Sequence, residues 1–340
     1  MRDTSSPHPT SAASAGPGPI VVLEDFTVRY GKFTAVDRAS FSMPPGACGL
    51  LGQNGAGKSS ILKAVLGLIR PAGGTARVVG FDAVRQGIEL RDHVGYMPEK
   101  EAYMPGLSGL DSVILAGRLS GLPKGVAKQR AHEVLWLVGL DEARYRDVAG
   151  YSLGMKQKVK LAMALVHDAD LLFLDEPTNG LDPEGRVEIL TLLKDLVRVK
   201  KKSLILSSHI LADVEALCEH AVLIDHGRIV AQGTIEELTR GALRSYDVRI
   251  DGDLQAFTEK LRSSGILVET AAPAASASST DPALAASVEV RLADEQTTAI
   301  VFEIARAVGA RLRRFEPKRR TMSDVFLETV AANAPSGGRS

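Results

Sequence analysis

The sequence predicts an α/β fold: a parallel-sheet core carrying an inserted, mostly helical subdomain, followed by a small ferredoxin-like α+β domain. Three observations predict it. Short apolar runs alternate with helix-length segments from residue 20 to about 240, the pattern of a sheet with helices on its faces. One of these runs, Leu171-Leu172-Phe173-Leu174, is apolar at every position, as a parallel strand buried on both faces requires. The glycine-rich stretch Gly52-Gln53-Asn54-Gly55-Ala56-Gly57-Lys58-Ser59 lies between a short apolar strand, Cys48–Leu51, and a helix over 60–68.

In chain order, residues 1–19 are rich in Ser, Ala, Pro and Gly and read as a disordered leader. Strands follow at Ile20–Thr27 and Ala39–Met43, the second closed by Pro44-Pro45-Gly46. After the glycine loop and its helix come short strands at Thr75–Val79 and Val94–Met97. The stretch from Gly109 to about Leu140 has a helical pattern broken at Gly121-Leu122-Pro123, and a further helix is expected over Gly154–Val166. Residues about 93–165 thus form the inserted helical subdomain. Helix 184–199, strand Ser203–Ser207, helix 210–219 and strand Ala221–Asp225 complete the core over 20–240. Residues 241–333 read as two successive strand–helix–strand units, interrupted by an Ala/Ser/Pro-rich flexible linker at 271–286, with a disordered tail at 334–340.

Composition bounds the function. Lys plus Arg equals Asp plus Glu at 41 each, so bulk charge gives no support for a nucleic-acid or membrane-surface protein. No run of 18 apolar residues spans a bilayer. The two cysteines, Cys48 and Cys218, form no disulfide framework; both lie in apolar runs, read as small core hydrophobes, and fit a reducing compartment.

The glycine loop fits GxxxxGK[ST]. Its glycines let backbone N–H groups turn around a phosphate chain, and the helix N-terminus adds partial positive charge there. Lys58 can reach the β- and γ-phosphates of a nucleotide triphosphate, and the Ser59 hydroxyl can ligate Mg²⁺. Downstream, Asp175 and Glu176 end the apolar strand, at the sheet edge where ligands bind. Asp175 suits support of Mg²⁺, and Glu176 suits orienting and deprotonating an attacking water. Tyr151-Ser152-Leu153-Gly154-Met155 precedes a helix: either a second anion site or an ordinary helix capped by Ser152.

The order GQNGAGKS, YSLGMKQ, LLFLDEP, GLD at 180–182 and Ser208-His209 resembles the ATP-binding cassette (ABC) family over residues 20–240. The resemblance implies a head-to-tail homodimer in which Ser152 and Gly154 of one copy hold the γ-phosphate on the other copy's loop. It extends the nucleotide-binding set to Gly52, Asn54, Gly55, Gly57 and Ser60 with Lys58 and Ser59. It implies that Tyr30 stacks on adenine, that Asp182 couples the two sites, and that His209 contacts the γ-phosphate beside the catalytic Glu176 and Lys58.

Two positions depart from the family's pattern. The signature commonly reads LSGGQ; here it is YSLGM, with Leu153 at a Gly position and Met155 at the Gln position. Glu99 stands where a Gln usually links Mg²⁺ to the transporter; a carboxylate also ligates Mg²⁺ but lacks the amide donor. Both departures resemble cassettes that energise export-type permeases made as separate chains, as does the ending Met322–Leu327. The implied activity is ATP hydrolysis driving transport; subgroup resemblance implies export, with an integral membrane permease as partner, no nucleic acid, and a cytoplasmic place on the inner face of the membrane. A soluble ABC ATPase without a permease is the alternative; a phosphate-loop kinase or GTPase is opposed by YSLGMKQ and Ser208-His209. The apolar stretch Ala102–Leu107 reads either as a permease contact or as a buried loop.

Overall fold

A computed structural model describes residues 18–100, 102–240, 243–270, 287–293, 296–318 and 320–333. The expected leader lies outside the described residues except for Gly18 and Pro19, and the linker at 271–286 and the tail at 334–340 lie wholly outside them. The chain begins β1 (Val21–Tyr30), β2 (Phe33–Met43), β3 (Ala47–Leu51), α1 (Lys58–Val65), β4 (Gly73–Val78), β5 (Phe81–Asp82), α2 (Gly87–His93) and β6 (Val94–Met97). Helices α3 (Gly109–Leu119), α4 (Lys124–Leu137) and α5 (Leu153–Leu165) follow. The core then closes with β7 (Leu171–Asp175), α6 (Pro183–Arg198), β8 (Ser203–Ser208), α7 (Leu211–Leu217), β9 (His220–Asp225) and β10 (Arg228–Thr234). The chain falls into two compact units, the second formed by Glu236–Glu328.

The first unit is organised by a six-stranded sheet in the order β10-β9-β3-β8-β7-β6. Strands β3, β7 and β8 are buried at every position, which explains their uninterrupted apolar character. They run parallel, with Leu51 opposite Ser208 and Asp175 opposite Ser207. Their carboxyl ends therefore lie at one edge of the sheet. A second, antiparallel sheet, β2-β1-β4-β5, was not anticipated from the sequence. Helix α1 packs with it: Ile61, Leu62 and Val65 share a core with Phe26, Val28 and Val36 and with Val222 of the first sheet. Each such buried side chain contributes roughly 1.5–3 kcal/mol, so the helix behind the glycine loop is firmly held.

Strand β6 corrects the helical-subdomain boundary. Val94–Met97 pairs in parallel with β7 and belongs to the core sheet, so the helical segment begins at α3. Gly95 permits this: a Cβ there would lie 2.2 Å from the Ala164 carbonyl oxygen of α5. Both cysteines are buried, and burial pushes the Cys48 thiol up to about 12, consistent with a packing role.

The second unit comprises α8 (Ile235–Thr239, from its second residue), β11 (Leu243–Asp251), α9 (Leu254–Ser263), β12 (Leu267–Thr270), β13 (Ser287–Ala293), α10 (Ala299–Ala307), β14 (Arg311–Lys318) and most of α11 (Met322–Asn333). Its sheet is antiparallel throughout, in the order β12-β13-β11-β14. Alternate residues Val248, Ile250, Val288 and Val290 face Phe257 of α9 and Val301 of α10 in a separate core.

Gly95→Ala should destabilise the protein by about 1–3 kcal/mol through overpacking against α5. A lowered urea midpoint at unchanged m-value is the expected result, and an unchanged midpoint would show that β6 and α5 are not so closely packed.

Candidate functional site

The site forms where β3, β7 and β8 end. Beyond β3 the chain turns through Gly55 and Gly57, at φ +84° and +112°, conformations that L side chains rarely adopt. A Cβ on Gly57 would sit 2.7 Å from the Ala35 carbonyl oxygen, and one on Gly52 would sit 2.4 Å from that of Ile224. The loop is thus pressed against its own framework, and larger residues at these positions would displace it. Helix α1 starts directly from this turn with Gly57 as N-cap and no side-chain cap. Its first N–H groups have no partner within the helix, which is the arrangement an anion completes.

The Lys58 ammonium is buried and donates to the Gly52 and Gln53 carbonyl oxygens at 2.7 and 3.2 Å. It also lies 3.3 Å from Glu176 Oε1, and both side chains are almost fully enclosed. Glu176 follows β7 with φ +52°, a left-handed conformation costing roughly 1–2 kcal/mol in a non-glycine residue. Its N–H still donates to the Ser207 carbonyl, so the turn aims the carboxylate at the glycine loop while the ladder holds its backbone. The second carboxylate oxygen, Oε2, lies 2.8 Å from His209 Nδ1 at the end of β8. Oε1 accepts no directed hydrogen bond despite its burial and its ion-pair distance to Lys58. An enclosed carboxylate oxygen left in this state is ready to accept a proton donor brought by a ligand or water.

Beside this triad, Ser59 Oγ donates to Asp175 Oδ1 at 3.1 Å and Ser207 Oγ donates to the same oxygen at 2.9 Å. Burial pushes the Tyr96 phenol well above its ordinary value, and the Asp175 carboxylate reinforces the shift by charge and by accepting a hydrogen bond. Tyr30 is half exposed at the end of β1, with its hydroxyl 3.4 Å from Ser60 Oγ. Asn54 is exposed at the tip of the loop. Glu99 is exposed after β6; the Lys160 ammonium fixes this bend by donating to the Pro98 and Glu99 carbonyl oxygens at 2.8 and 2.9 Å.

The remaining sequence-selected residues make contacts of their own. Ser152 caps α5, accepting from Met155 N at 3.3 Å, and Asp182 caps α6, accepting from Gly185 N at 3.0 Å. Gly154 and Leu153 adjoin Leu181 and Gly180 of the GLD loop. Among the described residues no hydrogen bond or ion pair links Ser152, Gly154 or Asp182 to Lys58.

A family model described as ABC transporter matches residues 36–179. The chain is 32% identical over 316 residues to the uncharacterized ABC transporter ATP-binding protein YxlF of Bacillus subtilis (strain 168), covering 91% of this chain and 99% of that protein. The chain belongs to the ABC transporter ATP-binding proteins. The cassette is also 36% identical over 238 residues to the daunorubicin/doxorubicin resistance ATP-binding protein DrrA of Streptomyces peucetius, covering 69% of this chain and 72% of that one. A solved ATP-binding subunit of an ABC transporter superposes with TM-score 0.58 at 28% identity, over 65% of this chain and 92% of that one. The family expected from the motif order is therefore the family found, and the cassette is an ATP-binding, ATP-hydrolysing transporter subunit. Among the described residues no helix is long and apolar enough to cross a membrane.

Sequence reasoning missed the group that holds the GLD loop. Asp213 of α7 is fully buried and accepts from Thr178 Oγ1 and Arg186 Nε, each at 2.5 Å. Thr178 and Arg186 bracket the loop, and α7 follows His209, so one carboxylate ties the loop to the His209 segment. Its two partners lie 35 and 27 residues away along the chain, which no local pattern announces. Asp213→Ala should cost about 1.5–3 kcal/mol, the range for hydrogen bonds to a charged group. Urea unfolding would detect this, with Asp213→Asn losing less because one acceptor remains; an Ala variant as stable as the parent would exclude the bridge.

Proposed function

We propose that the cassette works as a head-to-tail homodimer with a separate integral membrane permease, and that it drives export. The observation that carries the reading is the division of the expected site. Lys58 and His209 both converge on Glu176, whereas among the described residues no hydrogen bond or ion pair links Ser152 or Gly154 to any of the three. A second copy is the natural source of the missing half. The resistance protein DrrA among the relatives supports the export direction. The permease would hold the cassette at the inner face of the cell membrane.

In this reading Gly52, Asn54, Gly55, Gly57, Lys58, Ser59 and Ser60 bind the ATP phosphates, and Tyr30 lies against the adenine. The uncapped start of α1 fits the phosphates, and the hydroxyl and carboxylate of Ser59 and Asp175 supply the hard oxygen ligands that Mg²⁺ takes. Glu99 would join them through its carboxylate. When bound, Mg²⁺ would neutralise charge developing on the phosphoryl oxygens. Lys58 adds positive charge on the same group, and positioning supplies much of the remaining acceleration. His209, donating from Nδ1, would hold the Glu176 carboxylate so that Oε1 accepts the proton of the attacking water. Asp182 would couple the two copies.

Glu176→Gln should lower ATP turnover by ~10²–10⁴-fold with ATP binding retained, as loss of a general base does. Steady-state hydrolysis and equilibrium nucleotide binding, measured together, check this; near-normal hydrolysis would remove Glu176 from the role. Dimer dependence has its own readout. Specific ATPase activity should collapse on dilution below the dimer dissociation constant, and activity that stays proportional to protein concentration would refute the composite site.

A further inference from the structure

A cavity of about 800 Å³ opens between α4, the turn after α5 and the end of α6, lined by none of the residues discussed above as nucleotide-binding or catalytic. Its volume suits one drug-sized molecule. Leu137, Leu165 and Leu196 give it an apolar floor, and Trp136, 70% exposed, stands at its lip. An indole left so far in water beside an apolar cavity is a large unpartnered contact surface.

The polar rim is unequal. Arg130 is paired with Glu133 and Asp168 at 2.8 and 3.3 Å, and Lys202 is paired with Asp168 at 3.2 Å. These two acids are thereby committed. Arg144 and Lys200 have no carboxylate within ion-pair distance among the described residues. The Arg144 guanidinium lies 5.0 Å over the Tyr145 ring, and its Nε is buried without a hydrogen-bond partner. Arg144 also interacts with Tyr145 and has Glu142 and Asp141 as neighbouring charges, but among the described residues neither it nor Lys200 is held in an ion pair. An apolar floor with two cations outside any ion pair at the rim is complementary to a molecule that is apolar along its length and anionic at one end.

We propose that this cavity binds a free amphiphilic monoanion, a single apolar chain or ring system lying on Leu137, Leu165 and Leu196 beside Trp136, with its anionic head at Arg144 and Lys200. Trp136 is the chain's one tryptophan, so its emission reports the cavity directly. The full chain is titrated with decanoate below its micellar concentration while Trp136 emission is followed. A saturable change is expected, with the neutral isostere decanol binding at least about tenfold more weakly, because a charge-assisted contact is lost. Lys200→Glu combined with Arg144→Gln should weaken decanoate binding by a similar factor while basal ATPase activity is unchanged. No saturable change, or equal affinity for decanoate and decanol on the unaltered chain, would overturn the proposal without reference to any variant. Unchanged decanoate affinity in a folded, ATPase-active double variant would do the same.

Discussion

The parallel ladder of β3, β8 and β7 is the constraint on which the site depends. These strands are buried on both faces, so their register is fixed by packing above and below as well as by hydrogen bonds between them. Leu51, Ser208 and Asp175 consequently finish close to one line. The residues immediately beyond, the glycine loop, His209 and Glu176, then need only short turns to meet. A one-residue slip in β7 would send Asp175 to the opposite face and break its contacts with Ser59 and Ser207 together.

Within that frame the charges hold one another in place. A buried ammonium or carboxylate alone would be expensive, and the pair is tolerable because each finds further polar partners. Lys58 has two carbonyl oxygens of its own loop, and Glu176 has His209. Such an arrangement is weak evidence for stability but strong evidence for positioning, since removing either partner strands the other. The left-handed turn at Glu176 fits the same interpretation: the strain is local, at the residue whose side chain must leave the strand direction, and its neighbours hold it there.

Much of this was legible in the sequence where the signal was local. The glycine loop between strand and helix, the all-apolar strand ending in Asp175 and Glu176, and the helix cap Ser152 are each encoded within a few consecutive residues. What escaped was either too short or too distant. β5 has two residues, below any period. β10 is a half-exposed strand of mixed character, although the turn at His226-Gly227, with φ +44° and +78°, carries a hairpin signal that could have revealed it. The antiparallel sheet joins β1 to β4 across more than an intervening strand and helix, so nothing in either segment names the other. Tyr96, Lys160 and Asp213 matter through partners far along the chain.

The departures from the family's signature also become physical rather than merely unusual. Leu153 reaches so close to the GLD loop that a Cβ on Gly180 would lie 3.0 Å from its Cδ2. Gly180 sits at φ +75°, where a side chain is disfavoured on backbone grounds as well. The bulky residue in the signature and the bare residue in the loop therefore fit each other, and a side chain at position 180 would have to displace the end of Leu153. The segment that ends at Asp182 is held from its other side by Asp213 through Thr178 and Arg186. The loop is thus gripped between an apolar contact at the signature and a buried carboxylate behind His209. The segment between Glu176 and Asp182 is thereby in contact with both the signature and the helix that follows His209.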